Sequence, residues 1–387
     1  MAREVVIITR YFLPNVNVDS DAVYKMVQGL KENNDGIKIH IVTTESKYKT
    51  DVNDDSKYSL ELLKDVKIYK IKSVFSKPAS AVTKLLSDLI EGYKLVVRAR
   101  KLNLPNIVSL SNPPLIAMWH SLLLKKYNFF YWSFDIFPQA FVSDQIVKSG
   151  SAIYQVLKKN TYRNAPKSII ALGENQFDFL QETYNKPINK IILPCGIHNE
   201  QLNVNQPLPF WKDAGSIIIG YLGNLGRPHS ITFLKNVITA VANRSNFKLI
   251  LSVYGYHSEE LHKHLDLTKS NNIFLVDFID KSQLGLIDVH LVSLMESWAN
   301  ISVPSKAVSA VCSGGALWYC GPGAVDTWSM FKECSFKTSD QLAEVATCLD
   351  TINTEVLAVK KSSAAAIKEK LLQTEKSAYQ SIYNSLQ

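Results

Sequence analysis

The chain has 387 residues, of which 46% are hydrophobic and 20% charged, and a formal net charge of +8. This composition is typical of a globular protein and excludes a disordered or fibrous chain. No apolar run reaches the roughly 20 residues that a membrane-spanning helix needs, and the length predicts two domains rather than one.

Short β-rich runs alternate with helical patterns over residues 1–199. The first run, in MAREVVIIT, follows the N-terminus directly, so we expect no secretory signal. Strand, helix and strand at this spacing predict parallel βαβ units, and near-continuous apolar strands predict a sheet covered on both faces. The clearest helices are predicted at 20–33 and 79–103. The strands are predicted at 4–9, 37–44, 66–71, 107–111, 129–134, 168–172 and 190–194.

The positive charge is concentrated in this first half. Residues 1–200 carry 27 Lys and Arg against 19 Asp and Glu, whereas residues 201–387 carry 16 of each. Such a field attracts phosphate lipids, diphosphate carriers or nucleic acid. A basic domain that is merely soluble is the alternative.

A stretch with three prolines and several Asn and Gln residues, between 194 and 209, predicts a linker. After it the alternation of strands and helices restarts. We therefore predict two doubly wound Rossmann-like α/β domains, at 1–199 and 200–365, and a C-terminal helix at 366–387 within a helical tail that starts near 355. The strands of the second domain are predicted at 216–222, 247–255, 273–279, 289–295 and 315–321.

The segment GYLGNLGRPHS, residues 220–230, ends the first strand of the second domain with a glycine-containing turn. Gly223 and Gly226 let backbone N–H groups approach a ligand, and Ser230 is a candidate N-cap for the next helix. A helix N-terminus attracts anions, and Arg227 adds a forked cation that suits phosphate oxygens. These features predict a diphosphate site, with an ordinary strand-to-helix turn as the alternative.

A second turn of this kind lies in VPSKAVSAVCSGGALWYCGP, residues 303–322. Pro304 suits the first turn of a helix, and Ser302 or Ser305 is a candidate cap. Lys306 then lies in the first turn, which is unfavourable for a cation unless an anion is bound there. The alternative is a capped core helix with an exposed lysine.

These two motifs together resemble the donor-site motifs of the GT4-type family of GT-B glycosyltransferases. The similarity is greatest to the bacterial O-antigen and capsule branch, which includes N-acetylfucosaminyl transferases and reads roughly Y-S-G-N-L-G-R-x-H and V-P-S-K. In the first half, ITRYFLPN (8–15), LSNPPLIAMW (110–119) and FDIFPQAFV (134–142) resemble segments of that branch in the same order.

The resemblance implies two Rossmann-like domains that face each other across a cleft, a C-terminal helix that crosses back, and retention of anomeric configuration. It implies a nucleotide-sugar donor, held by the second domain without a metal or other cofactor. Residues expected to contact the diphosphate are Gly223, Asn224, Gly226, Arg227, Ser305 and Lys306, with catalytic roles for Arg227 and Lys306. His229 is either a donor contact or a structural residue, and the strand end at 276–279, with Phe278, is expected to border the base.

The chain departs from the family pattern at the Glu-x7-Glu pair that many members use for the donor sugar and the ribose. Ile301 and Ser309 occupy those positions. Glu296 is the nearest carboxylate that could substitute, so we include it among the donor-binding candidates. The glycines usual after the first strand are also missing.

In the first half, Asn15, Asp19 and Asp21 are candidate acceptor contacts. The DSD sequence at 19–21 formally matches a metal motif, but two aspartates before a helix also suit helix capping, and no histidine spacing predicts a metal site. Asp135 ends a buried strand and is the candidate for orienting or deprotonating an acceptor hydroxyl. Capping of the loop 136–139 is the alternative for Asp135.

The predicted activity is transfer of a sugar from a UDP-sugar to a lipid-linked or oligosaccharide acceptor, such as a polyprenyl-diphosphate carrier, in surface polysaccharide synthesis. We expect peripheral contact with anionic lipid at the inner face of the membrane. Five cysteines without a CxxC pair favour reduced thiols in the cytoplasm. The alternative is a degenerate module that binds sugar nucleotide or a partner without turnover. Nucleic acid is not an expected partner, since no arginine-rich or RNP-like segment is present.

Overall fold

The computed structural model describes residues 3–45, 58–73, 81–200, 202, 207–213 and 215–387. The chain divides into two compact units. The first comprises Met1–Cys195 with Thr374–Gln387, and the second comprises Gly196–Gln373. All five cysteines are free and buried. Among the described residues, no helix combines the length and the apolar character that crossing a membrane requires.

The first unit is built on a seven-stranded sheet in which all neighbouring strands are parallel, in the order β3-β2-β1-β4-β5-β6-β7. All seven predicted strands are present. The five inner strands are mostly buried in the sheet, whereas the two edge strands, predicted at 66–71 and 190–194, are largely exposed or half-buried. The strands are β1 (Glu4–Ile8), β2 (Lys38–Thr44), β3 (Lys67–Ile71), β4 (Asn106–Leu110), β5 (Asn128–Trp132), β6 (Ser168–Ala171) and β7 (Asn189–Ile192).

The helices of this unit follow the strands as the βαβ pattern predicts. Asn17 caps the first helix in a capping box with Ser20, whose backbone N–H donates to the Asn17 side chain at 2.9 Å. The helices are α1 (Val18–Asn33), α2 (Ala81–Arg100), α3 (Ile116–Leu123), α4 (Gln139–Ser143), α5 (Ala152–Thr161) and α6 (Glu174–Tyr184).

The second unit has a six-stranded parallel sheet in the order β10-β9-β8-β11-β12-β13. Its last strand was not predicted, and β10 ends four residues before the predicted 279. The strands are β8 (Ile217–Asn224), β9 (Phe247–Tyr254), β10 (Ile273–Leu275), β11 (Val289–Ser293), β12 (Ala316–Cys320) and β13 (Ser335–Thr338). The helices are α7 (Ile231–Val241), α8 (Ser258–Thr268), α9 (Ser305–Cys312), α10 (Asp326–Phe331), α11 (Leu342–Thr351) and α12 (Thr354–Ser385).

The last helix, α12, starts in the second unit and ends in the first. Asn353 accepts a hydrogen bond from the Val356 N–H at 3.0 Å, and no proline or glycine follows before Ser385. From Thr374 onward the chain belongs to the first unit, where the Tyr379 ring fills the space beside Gly29 and the Gln387 N–H donates to Asn106 at 2.9 Å.

Both sheets share one topological feature that places the candidate sites. In each unit the first strand lies between the second and the fourth, so the connections on its two sides run to opposite faces of the sheet. Open α/β sheets bind ligands at the carboxyl ends of strands in this position. In the second unit these strands are β8 and β11, which lead into the two predicted donor motifs.

Candidate functional site

The glycine turn leaves the carboxyl end of β8 and is held by the loop that follows β9. The Leu225 N–H donates to the Tyr254 carbonyl at 2.7 Å, and the His257 N–H donates to the Leu225 carbonyl at 3.1 Å. Gly223 has φ +97°, a left-handed conformation that side chains rarely adopt, and the space where a Cβ would lie is open. The turn therefore keeps a rigid backbone with an unobstructed approach at Gly223.

Ser230 caps the helix that follows the turn, as predicted, by accepting a hydrogen bond from the Phe233 N–H at 3.2 Å. The Ser230 N–H donates to Ser293 Oγ at 3.1 Å. The loop after β11 is also tied to the turn, because the Met295 N–H donates to the Pro228 carbonyl at 2.7 Å. These bonds join the glycine turn to the end of β11 and to the loop that leads into the second motif.

His229 is buried in this junction. Its Nδ1 lies 2.7 Å from the Ser293 carbonyl, which fixes Nδ1 as the protonated, donating nitrogen. Burial, with a smaller contribution from the Lys306 charge, lowers the pKa of His229 to about 3. The ring is therefore neutral at ordinary pH, and its main contact is structural.

Lys306 lies in the first turn of α9 and reaches back to β8. Its Nζ donates to the Tyr221 hydroxyl at 2.5 Å and to the Asn224 carbonyl at 3.0 Å, and it lies 3.9 Å from the centroid of the Tyr221 ring. Desolvation lowers the pKa of Lys306 to about 7. The ammonium thus has neutral oxygens and an aromatic face around it, an environment that an anionic ligand would complement.

Arg227 lies on the exposed side of the same turn. Its guanidinium carbon is 4.1 Å from the centroid of the Tyr256 ring, a cation–π contact that restricts the side chain. Arg227 and Lys306 contact residues at the ends of neighbouring strands β9 and β8. The edge therefore combines two cations with backbone N–H groups, which is the chemistry that binds a diphosphate.

Pro304, not a serine, is the N-cap of α9, and no side chain caps this helix. The predicted capping by Ser302 or Ser305 is therefore wrong, because Ser305 is already the first helical residue. The helix begins with N–H groups that no side chain of the cap satisfies.

The other donor-binding candidates lie on neighbouring loops of the second unit. Glu296 begins a single 3-10 turn after β11, and it lines an open pocket of about 590 Å³ together with Ser230 and Asp340. Phe278 is exposed in the loop after β10 rather than at a strand end, because the chain leaves the sheet at Leu275. An exposed aromatic ring in this place is available for stacking.

In the first unit, two carboxyl groups interact at the edge formed by β1, β4 and β5. Asp19 accepts a hydrogen bond from Asn112 Nδ2 at 2.6 Å. Burial, and to a smaller extent the charge of Asp135, raise the pKa of Asp19 to about 6, against the effect of the Asn112 bond. Asp135 follows β5, so the fold brings together two residues 116 positions apart in the sequence.

The other acceptor candidates have simple local roles. Asn15 donates from Nδ2 to the Phe12 carbonyl at 3.3 Å, within its own loop. Asp21 lies in the first turn of α1, where a negative charge is favourable, although the capping itself is done by Asn17. In the described part of the chain no group of three or more His, Cys, Asp or Glu side chains is arranged to hold a metal ion.

No protein-family model and no curated protein matches the sequence. Solved structures do match. One is described as trehalose-6-phosphate from E. coli bound with UDP-2-fluoro glucose, with 12% identity, coverage of 99% of this chain and 98% of that one, and a TM-score of 0.68. A second is WaaG, a glycosyltransferase involved in lipopolysaccharide biosynthesis, with 12% identity, 99% coverage of both chains and a TM-score of 0.66.

A third is Anabaena Alr3699/HepE in complex with UDP and glucose, with 14% identity, coverage of 99% and 100%, and a TM-score of 0.64. These similar structures are GT-B glycosyltransferases. The chain has the GT-B fold. The predicted fold class, two doubly wound Rossmann-like domains with a C-terminal helix that crosses back, is thereby confirmed.

Within this GT-B chain, the two positions of the missing glutamate pair have structural roles. Ile301 is buried, and Ser309 donates from Oγ to the Gly196 carbonyl at 3.0 Å. Neither side chain is placed as a ligand-binding carboxylate would be. Glu296 remains the carboxylate nearest in sequence to this loop.

The sequence analysis missed the residues that contact the predicted site residues Lys306, Arg227 and Asp19. Tyr221 and Tyr256 contact Lys306 and Arg227, and Asn112 holds Asp19. Tyr221 is the fifth residue of an apolar strand, so its sequence context indicates only a core residue. The signal that could have identified Tyr221 is its hydroxyl group, two residues before Gly223, because a buried hydroxyl needs a hydrogen-bond partner.

Proposed function

We propose that this protein is a glycosyltransferase that moves a sugar from a nucleotide-sugar donor, a UDP-sugar, to a lipid-linked or oligosaccharide acceptor in surface polysaccharide synthesis. The observation that carries this proposal is the arrangement of Lys306 and Arg227 at the carboxyl edge of the second sheet, beside Gly223. This edge lies at the point where open α/β sheets bind nucleotides.

The residues of this edge suggest how the chain would act on the donor. The backbone N–H groups of the glycine turn, with Asn224 and Gly226, would receive the diphosphate, and the Arg227 fork would bind two of its oxygens. Lys306 would turn from the Asn224 carbonyl toward the phosphate. Both cations would stabilise the charge that develops on the leaving UDP more than they stabilise the bound donor, which accelerates the transfer.

The acceptor side of the proposal rests on the first unit. Asp135 would orient or deprotonate an acceptor hydroxyl, and Asp19 would share the acceptor site with it. Burial raises the pKa of Asp19 to about 6, so this carboxyl group can gain or lose a proton close to neutral pH.

Similar structures support the choice of donor. One of them binds UDP-2-fluoro glucose and another binds UDP and glucose. A third is involved in lipopolysaccharide biosynthesis, which supports an acceptor in surface polysaccharide synthesis. The motif resemblance supports the N-acetylfucosaminyl-transferase-like branch, retention of configuration and catalysis without a metal.

The test is thermal unfolding with a panel of nucleotide sugars, followed by product formation from radiolabelled donors. A UDP-sugar at 100 times its dissociation constant should stabilise the fold by about 2.7 kcal/mol without added metal. Stabilisation that needs Mn²⁺ or Mg²⁺ would contradict the metal-free part of the proposal and would favour a metal at Asp19 and Asp21. Absence of stabilisation by every nucleotide sugar would contradict the donor site itself.

A second candidate is a GT-B module that binds a sugar nucleotide or a partner protein without turnover. The observation that favours it is the structural use of Ile301 and Ser309 where many relatives carry glutamates. The same experiment separates the two. Stabilisation by UDP-sugars with neither transfer nor hydrolysis, across a panel of glycan and lipid-linked acceptors, would support the degenerate module.

A further inference from the structure

The excess positive charge of the protein lies in one segment of the first unit. Residues 81–173 carry twelve Lys and Arg against four Asp and Glu, a net charge of +8, which equals the net charge of the whole chain. The four acids do not offset this charge at the surface. Asp88 and Glu91 are buried against Arg10, at 2.6 Å and 2.9 Å, and Asp135 and Asp144 are partly buried. Among the side chains of residues 83–173, the charged ones that are exposed, rather than partly or fully buried, are all Lys or Arg.

Three helices of this segment lie side by side. Trp119 of α3 donates from Nε1 to the Leu89 carbonyl of α2 at 2.9 Å, and its ring lies 5.1 Å from the Tyr93 ring. Asn164, just after α5, donates from Nδ2 to the Ser121 carbonyl of α3 at 2.8 Å. We call the outer surface of these helices and of the loop that enters α5 the α2–α3–α5 face.

This face also exposes apolar side chains in a regular arrangement. Leu86, Ile90 and Tyr93 follow one another at spacings of four and three residues, so they form a single stripe on α2. On α5, Ile153 is 67% exposed and Val156, one turn later, is 58% exposed. Exposed Lys158 and Lys159 adjoin these two residues, and exposed Lys94 adjoins Tyr93. Apolar side chains flanked by lysines are typical of helices that lie in a membrane interface.

We propose that the α2–α3–α5 face binds an anionic lipid surface. The lysines would lie against the lipid phosphates while the exposed apolar side chains enter the region below the headgroups. The charge favours this partner over the two alternatives. A second copy of the chain docked through the same face would oppose one +8 segment to another, and a nucleic-acid backbone would leave the aliphatic stripe in water.

This proposal goes beyond the function proposed above, although a lipid-linked acceptor would give both the same location. Its test is sedimentation of the full chain with vesicles of equal parts phosphatidylglycerol and phosphatidylcholine, at 0.1 M salt, against pure phosphatidylcholine. Binding should be seen with the anionic vesicles and should weaken at high salt. Stabilisation by a UDP-sugar, measured on the same preparations, reports donor binding separately, so the two proposals can fail independently.

Paired variants separate the charged from the apolar contribution. Lys158→Gln with Lys159→Gln should weaken binding by about 25-fold, since each basic residue at an anionic surface contributes about fivefold. Ile153→Ser with Val156→Ser should weaken it about tenfold. The matched charge control is Lys38→Gln with Lys64→Gln, exposed in the same unit but outside the face. The matched apolar control is Leu267→Ser with Val359→Ser, at 82% and 67% exposure in the second unit.

Three results would overturn the proposal. The first is equal binding to neutral and anionic vesicles. The second is a loss of vesicle binding in the control pairs as large as in the face variants. The third is a different occupant of the face. A second copy would be shown by a dimer in analytical ultracentrifugation that Ile153→Ser with Val156→Ser converts to a monomer. Nucleic acid would be shown by duplex DNA that displaces the vesicles and no longer binds the variant Lys158→Gln with Lys159→Gln.

Discussion

The two units of this protein have nearly the same sheet but opposite chemistry at its carboxyl edge. In the second unit the edge carries a glycine turn, Arg227 and Lys306, and in the first it carries Asp19 and Asp135. In both units the strand order places the expected ligand-binding point at the carboxyl end of the first strand. The difference shows that the sheet fixes where a ligand can bind, whereas the residues that follow each strand decide its charge.

Burial acts on both edges in the same sense. It lowers the pKa of Lys306 to about 7 and raises the pKa of Asp19 to about 6, so each group is pushed toward its neutral form. Groups with pKa values near neutral can gain or lose a proton when a ligand binds. This is the property expected of a donor site and an acceptor site.

The largest expected effect is the loss of a cation from the second edge. Arg227→Ala and Lys306→Ala should each lower the turnover number by about 10²- to 10³-fold, because each removes a group that stabilises the leaving diphosphate. Arg227→Lys should recover little, since an ammonium cannot replace the guanidinium fork. The measurement is steady-state transfer with a good donor, and Lys263→Ala, an exposed lysine on α8, is the control. Near-normal turnover of either alanine variant, or loss of its fold in circular dichroism, would show that the residue is structural.

At the first edge, Asp135→Asn should lower the turnover number by about 10²-fold and leave donor affinity unchanged, because the carboxylate acts on the acceptor hydroxyl. Donor affinity measured by calorimetry and transfer measured by product formation give the two readouts. Glu174→Gln, an exposed carboxylate of the same unit, is the control. An equal loss of donor affinity would assign Asp135 to the donor and remove the contrast between the edges.

Donor affinity should depend on pH through Lys306. In the empty site its pKa is about 7, and a bound diphosphate would raise it, so binding takes up a proton above pH 7. The dissociation constant of a UDP-sugar should therefore rise as pH increases from 7 to 8.5, by at most about tenfold for each pH unit. His229 and Tyr221 do not titrate in this interval, since their pKa values lie far below and far above it. Calorimetry on Lys306→Arg should give a flat profile, and a flat profile in the unmodified protein would contradict the assignment.

The smallest effect concerns the stability of the first edge. Because the pKa of Asp19 is about 6 in the folded chain and near 3.8 unfolded, the unfolded chain releases this proton more readily, and stability falls as pH rises from about 4 to about 6. Asp19→Asn keeps an acceptor for Asn112 and removes the charge. At pH 7.5 this variant should be more stable than the unmodified protein by about 1–2 kcal/mol. The gain is reduced because Asp19 is partly exposed, so that solvent screens its charge. Urea unfolding at pH 4 and pH 7.5 is the measurement, and an equal difference at both values would exclude the titration of Asp19 as the cause.

The parts of the fold that could be predicted are those with a strong local signal. Most strands of the first unit are apolar runs, and Ser230 lies between a glycine turn and a helical pattern, so local sequence predicts both. The strand β13 could not be predicted in this way, because its four residues include a single apolar side chain, Phe336. β10 pairs with β9 only as far as Leu275, and beyond it the Asp277 carbonyl accepts from the Ser252 side chain of β9 at 3.1 Å.

The cations of the candidate donor site could be predicted from the sequence, but the residues that contact them could not. Lys306 was recognisable because a cation is unfavourable in the first turn of a helix. Its partner Tyr221 lies 85 residues earlier, on β8, and only the pairing of β8 with β11 brings the two together. The same holds for Asn112 and Asp19, which are joined across two strands of the first sheet. Such pairs depend on strand order, which a single sequence does not encode locally.

The helix α12 also determines when the first unit can be completed during translation. Its end supplies the first unit with Tyr383, whose carbonyl accepts from Arg3 at 2.8 Å, and with Ser385, whose carbonyl accepts from Asn128 at 2.7 Å. A ribosome produces these residues after the whole second unit. The first unit therefore emerges from the ribosome early but waits, with the Gly29 surface of α1 uncovered, until translation of the last helix. During that interval the nascent chain exposes an apolar surface that a chaperone could recognise.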